Sequence, residues 1–84
     1  MVNIEFKLFA DLMRYLPANA RQQSVSVEMP EGATIGDLMD RFRVPKEQAH
    51  LVICNGLFIP PSERETYQLQ DRDTIALWPP VAGG

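Results

Sequence analysis

The sequence is poor in the residues that build catalytic and metal sites. Its 84 residues include one cysteine, Cys54, and one histidine, His50. A single cysteine cannot form an internal disulfide, and a single histidine needs further ligands before it can hold a metal. Because Cys54 lies in an apolar run, we expect a small buried side chain there and not a reactive thiolate. We therefore predict no metal site and little side-chain catalysis, and a chain without disulfides is typical of the cytoplasm.

Clustered positive charge and long apolar runs are also missing. The eight Lys and Arg residues are scattered along a chain of net charge −3. No basic face is thus available for phosphates, and we expect no nucleic-acid binding. No run approaches the ~20 apolar residues that span a bilayer, and no basic-then-apolar start suggests export. The composition, with 45% hydrophobic and 23% charged residues, instead predicts one small globular domain.

Alternation of apolar and polar residues predicts several strands. It is clear in residues 2–8, 24–29 and 74–78, where every second side chain is apolar. Residues 50–54 are typical of a mostly buried strand, and Asn55-Gly56 is a strong signal for a short hairpin turn. The first two strands are expected to pair as an antiparallel hairpin.

One main helix is predicted between these strands. Thr34 suits its N-cap, with Asp37 three residues later, and Val44-Pro45 is expected to end it. An apolar stripe at helical spacing consists of Ile35, Leu38, Met39 and Phe42. A shorter helix is possible over residues 10–16. One helix on one face of a mixed sheet is an α+β arrangement, and this element order predicts a β-grasp domain over residues 1–78.

Two aromatic residues fall in the outward phase of their strands. Phe9 follows the first strand and Trp78 ends the last one, and these strands are neighbours in a β-grasp sheet. We expect the two rings to meet on the solvent side, with Phe58 as a candidate third member. A contiguous aromatic cluster indicates a surface for a partner. The alternative is that the early helix folds over the rings and buries them.

The last residues, 79–84, are expected to form an extended tail. Two prolines favour an extended path, and the paired glycines Gly83 and Gly84 can enter a slot too narrow for larger residues. The reach of these residues is roughly 20 Å at about 3.3 Å per residue. A carboxylate on such a tail is a possible reactive group, although a frayed end would have the same composition.

Three segments carry a resemblance to a known family. They are Leu8-Phe9-Ala10, Asn55-Gly56 and the final run 69–84, which ends Trp-Pro-Pro-Val-Ala-Gly-Gly. The chain resembles, over essentially its whole length, the MoaD/ThiS family of ubiquitin-like sulfur carriers. The double proline before the small residues is closer to the MoaD branch, the small subunit of molybdopterin synthase. The run Asp71-Arg72-Asp73 departs from that family, which usually has Asp-Gly-Asp there.

The resemblance implies a protein co-substrate and not an enzyme. An E1-like adenylating enzyme (MoeB or ThiF type) would use ATP to activate the Gly84 carboxylate, and a cysteine desulfurase or rhodanese would supply sulfur to give a thiocarboxylate. The tail residues Pro80, Val81, Ala82 and Gly83 would insert into a MoaE-type large subunit, where sulfur passes to a pterin precursor in molybdenum or tungsten cofactor biosynthesis. No bound cofactor is implied, and the family's docking surface maps onto Phe9, Phe58 and Trp78.

Three other functions remain open from the sequence. One is a ThiS-like carrier for thiazole synthesis or another sulfur pathway. Another is a ubiquitin-like modifier that is attached to lysines through Gly84. The last is an interaction module whose aromatic surface binds a partner and whose tail is inert.

Overall fold

The computed structural model describes residues 1–80. In that range, five strands form one sheet, namely β1 (Val2–Leu8), β2 (Ser24–Met29), β3 (Leu51–Cys54), β4 (Leu57–Phe58) and β5 (Thr74–Trp78). One α-helix, α1 (Ile35–Arg41), lies between β2 and β3. Short 3₁₀ segments cover Ala10–Tyr15, Lys46–Gln48 and Pro61–Glu63. The first of these takes the place of the short helix predicted for residues 10–16.

The strands are arranged in the order β2-β1-β5-β3-β4. The first and last strands are parallel neighbours at the centre, and the other pairs are antiparallel. This is the predicted β-grasp topology, with α1 as its main helix. The β3–β4 hairpin turns at Asn55 and Gly56, whose φ angles are 52° and 87°. Positive φ at both residues is what a tight two-residue hairpin turn needs, which explains the Asn-Gly pair.

The core lies between α1 and one face of the sheet. The inward residues of β1 are buried, as are Val25, Val27 and Met29 of β2. The helix begins with the predicted capping box, in which the side chains of Thr34 and Asp37 each accept from the other's backbone N–H. Its predicted stripe faces the sheet, and the Phe42 ring lies 5.1 Å from the Phe6 ring.

The end of α1 differs from the prediction. We expected Val44-Pro45 to end the helix, but its last residue is Arg41. Arg43 adopts φ 59°, and the Val44 N–H donates to the Met39 carbonyl at 3.0 Å. This is the arrangement of a Schellman cap, in which glycine is the usual left-handed residue. Arg43 carries no sequence signal for that role, so the earlier end was not predictable.

A buried arginine organises the segment between β4 and β5. Arg64 is 5% exposed, and its guanidinium donates to the carbonyls of Ile59, Ala49 and His50. Burial lowers the pKa of Arg64. Three carbonyl partners compensate the desolvation of this charge and attach the segment to the start of β3.

The turn before β5 has a left-handed residue that is not a glycine. Arg72 itself adopts φ 71° in the run Asp71-Arg72-Asp73. The buried Asp73 carboxylate accepts from the Gln70 N–H and from the Asn55 side-chain amide, both at 2.8 Å. These two bonds hold the turn together. The Asp71 carboxylate also accepts the N–H of Asn3, which attaches the turn to β1.

Candidate interaction surface and tail exit

The strand register divides the outer face of the sheet into an apolar and a polar half. In one row, Lys7 pairs with Ala76, Ala76 with Ile53, and Ile53 with Phe58. In the next row Trp78 pairs with Leu51. Side chains that pair directly share a face. The apolar half, which we call the outer apolar surface, is formed by Phe9, Leu51, Ile53, Phe58, Ala76 and Trp78, whereas β1 and β2 contribute polar side chains.

Phe9 and Trp78 meet as the strand phases predicted. Their ring centroids are 4.5 Å apart and their planes differ by 2°. The Phe9 N–H donates to the Leu77 carbonyl at 3.1 Å, which continues the β1 ladder by one residue and directs the ring toward β5. Neither ring is fully buried. Both residues are half-buried, so the 3₁₀ segment does not bury them completely as the alternative expects.

Phe58 lies on the same face, but away from the stacked pair. Its side chain is 53% exposed, and among residues 1–80 it forms no aromatic pair. Leu51 and Ile53 are half-buried and lie between Phe58 and Trp78. Sequence reasoning missed these two residues because β3 was interpreted as mostly buried. Alternation within β3 places Leu51 and Ile53 on the outer face of the sheet and Val52 and Cys54 on the inner face. They make the outer apolar surface continuous across three strands.

A groove lies where the chain leaves β5. It has a volume of about 440 Å³ and is lined on one side by Ala10 and Asp11 and on the other by His50 and Leu51. Trp78, Pro79 and Pro80 complete its lining. The His50 N–H donates to the Trp78 carbonyl at 3.0 Å, which sets the start of β3 beside the exit. We call the exit collar the set Ala10, Asp11, His50, Leu51, Pro79 and Pro80.

Part of the predicted tail cannot be placed in this geometry. Val81, Ala82, Gly83 and Gly84 lie outside the described residues, whereas Pro79 is half-buried and Pro80 is exposed. The division of the chain at residue 78 and the roles assigned to Pro80 and the four residues after it stay predictions. The covalent chain still limits the distance, because four residues at about 3.3 Å each reach about 13 Å beyond Pro80.

The single cysteine is placed as expected. Cys54 is 1% exposed, and its Sγ and the Tyr67 hydroxyl oxygen are hydrogen-bonded at 3.6 Å. Burial raises the pKa of the Cys54 thiol, and the hydrogen bond to Cys54 raises the pKa of Tyr67 to about 12. Both groups are thus neutral near pH 7, and Cys54 has the features of a core residue and not of a nucleophile.

Within residues 1–80, no group of three or more His, Cys, Asp or Glu side chains is arranged to hold a metal ion. Over the same residues, no helix has both the length and the apolar character to cross a membrane.

Comparison with known proteins places these features in one family. The model of the ThiS family matches residues 7–84. No curated protein matches the chain.

Several solved structures share the fold. The crystal structure of SAMP1 from Haloferax volcanii is 27% identical, with a TM-score of 0.67 over 98% of this chain and 99% of that one. A putative molybdopterin converting factor, subunit 1, from Pyrococcus furiosus is 21% identical, with a TM-score of 0.68 over 96% of this chain and 100% of that one. The Haloferax volcanii HVO 2177 protein is 22% identical, with a TM-score of 0.77 over 99% of this chain and 87% of that one.

Proposed function

The chain belongs to the ThiS family, and from that membership we propose that it is a sulfur carrier that works through the carboxylate of Gly84. The observation that carries this proposal is the family match, which extends through Gly84. The chain leaves β5 beside the outer apolar surface, where a partner can hold the body while it processes the end. The domain itself supplies presentation, and catalysis belongs to the partners.

The proposed chemistry has two stages. A carboxylate oxygen of Gly84 attacks the α-phosphorus of ATP in the active site of an E1-like enzyme of the MoeB or ThiF type, and pyrophosphate leaves. The terminal sulfur of a cysteine persulfide on a cysteine desulfurase or a rhodanese then attacks the acyl carbon and displaces AMP, and a second thiol cleaves the resulting acyl disulfide by forming a disulfide with the donor's cysteine. The product is a thiocarboxylate. Adenylation is needed because a carboxylate is a poor electrophile, whereas its mixed anhydride with AMP has a good leaving group.

The proposed recipient is a pterin precursor in a MoaE-type large subunit. The sequence Trp78-Pro79-Pro80 before the small tail residues supports the MoaD branch over the thiazole branch. The Pyrococcus furiosus neighbour has a name of that branch, but its 21% identity shows the common fold only. We further propose the cytoplasm as the compartment, because Cys54 is a free buried thiol and the chain has no cysteine left for a disulfide.

A second candidate function is that of a ubiquitin-like protein modifier. It is favoured by the likeness to Haloferax volcanii SAMP1, a small archaeal modifier protein, at 25 to 27% identity in its two structures. The same adenylate of Gly84 would then be attacked by a lysine of a target protein, and AMP would leave as an isopeptide bond forms. Both functions begin with one activation step, so they differ only in the nucleophile.

The test is the intact mass of the chain after incubation with ATP, a sulfur donor and soluble extract of its host. We expect a gain equal to the exchange of one oxygen for sulfur, and no gain when Gly84 is deleted or when one residue is added after it. Gly-Gly remnants on lysines of the extract's proteins, without that gain, would favour the modifier. Neither product, in an extract that charges a known carrier, would contradict both functions.

A further inference from the structure

The exit collar has features of a recognition site that adjoins the outer apolar surface and shares Leu51 with it. Its groove is bounded by two elements from distant parts of the sequence, the 3₁₀ segment Ala10–Tyr15 and the start of β3. Ala10 adopts φ 53°, an unfavourable angle for a residue with a Cβ. This angle lets the chain turn from β1 into the 3₁₀ segment, so that Asp11 follows beside the tail.

Chain length brings any partner that encloses Gly84 close to this groove. Gly84 can lie at most about 13 Å from Pro80. An enzyme that encloses the Gly84 carboxylate in a slot must therefore bring the rim of that slot within about this distance of Pro80. Ala10, Asp11, His50 and Leu51 flank Pro79 and Pro80. They are the residues beside the point from which this distance is measured, and a rim that closes over Pro80 would contact them.

The side chains of the collar indicate which kinds of side chain the activating enzyme would place against it. Leu51, Trp78 and the two prolines give the groove an apolar lining that suits one apolar side chain. Asp11 is exposed on its side, and within residues 1–80 no ion pair engages its carboxylate. The nearby Arg14 donates instead to the Asp11 backbone carbonyl at 3.2 Å. A partner surface that complements this site would carry a basic side chain for the Asp11 carboxylate, next to an apolar side chain for the groove.

We propose that the exit collar is a specificity site for the activating enzyme, whose slot rim inserts an apolar side chain into the groove and places a basic side chain against Asp11. This proposal rests on the proposed function, because both functions considered above require activation of Gly84. It adds a recognition site beside the tail to the one formed by the aromatic side chains. It also gives the activating enzyme a way to select this chain among other proteins that end in Gly-Gly.

The test measures pyrophosphate release by the purified ThiF-type enzyme of the same organism as the concentration of the full chain is varied. His50→Trp places a large ring at the groove, and Asp11→Lys reverses the charge on its other side. Their matched controls are Glu47→Trp and Asp40→Lys, which make the same kinds of change at exposed positions outside the collar. All four proteins are first shown by thermal melting to be folded.

We expect each collar variant to raise KM by about tenfold or more with kcat within about twofold, since a lost contact with an apolar or charged side chain weakens binding by about that factor. Asp11→Asn is expected to raise KM less than Asp11→Lys does. If the collar variants have the same KM values as their controls, the collar proposal is overturned. Pyrophosphate release with the wild-type chain would still support the proposed function. No pyrophosphate release from the wild-type chain, with an enzyme active on another substrate, would overturn both.

Discussion

Phe58 can report on partner binding without reporting on folding. It is 53% exposed and forms no aromatic pair among residues 1–80, whereas Phe9 and Trp78 stack on each other. We expect Phe58→Ala to weaken binding to the activating enzyme by about tenfold, as for a central aromatic contact. The free energy of unfolding should change by less than about 0.5 kcal/mol, the usual range for exposed positions.

Leu57→Ala is the matched control for Phe58→Ala. Leu57 is 67% exposed on the same strand, but its side chain has the opposite phase because it pairs with the inward Cys54. Titration calorimetry with the activating enzyme and urea unfolding give the two quantities. Equal loss of affinity in both variants would contradict a binding surface on the outer face of the sheet.

Because of its raised pKa, the Tyr67 hydroxyl is expected to make the folded state less stable at alkaline pH. The hydrogen bond with Cys54 and burial raise its folded-state pKa to about 12, above the ordinary value of about 10. Because the raised pKa favours the neutral hydroxyl in the folded chain, this stabilisation is complete below about pH 10 and is lost as the pH rises toward 12. We expect the urea midpoint to fall less over this window in Tyr67→Phe than in the wild type. The same fall in both proteins would contradict the hydrogen-bonded placement of this hydroxyl.

At the scale of the element, we expect a glycine just after α1, at position 43, to stabilise the fold. Arg43 adopts φ 59°, and an L-residue in this left-handed region costs roughly 1–2 kcal/mol. Arg43→Gly removes that cost but makes the unfolded chain more flexible, so we expect a net gain of up to about 1 kcal/mol in the free energy of unfolding. Asp40→Gly, three residues earlier within α1, should instead cost about 1 kcal/mol. Urea unfolding of both variants measures the signs, and a loss at both positions would contradict the Schellman cap.

The elements show which features the sequence could predict. The capping box of Thr34 and Asp37, the Asn55-Gly56 turn and the alternating strands are local patterns, and the structure confirms them. The stack of Phe9 on Trp78 followed from strand phase plus topology. Arg64 was not predictable, because its carbonyl acceptors lie 5 to 15 residues away in irregular segments.

The exit collar was missed for a similar reason. Asp11 follows β1 and His50 precedes β3, so the two are far apart in the sequence, and neither belongs to a recognisable motif. Likewise, Arg43 and Arg72 occupy left-handed positions that a glycine would have signalled. Local patterns thus predicted the elements and the stacked pair, whereas the groove between distant segments required their relative placement.

At the scale of the whole molecule, the β-grasp order places the recognition residues and the tail together. Because β5 lies between β1 and β3, the end of the last strand is flanked by the residues that follow β1 and those that begin β3. The same order separates the polar half of the outer face, on β1 and β2, from the apolar half. A partner that holds the apolar half is therefore already beside the tail.

This placement predicts that the partners of the proposed carrier exclude each other. An activating enzyme and a MoaE-type recipient must each enclose Gly84, which lies within about 13 Å of Pro80, and we expect both to cover the exit collar. We expect the recipient to displace the activating enzyme from the chain in competition measured by fluorescence anisotropy. The apparent Kd for the enzyme should rise linearly with the free recipient concentration, from the Kd measured without recipient. A ternary complex in analytical ultracentrifugation would contradict a shared site, and it would mean that one partner reaches Gly84 without covering the collar.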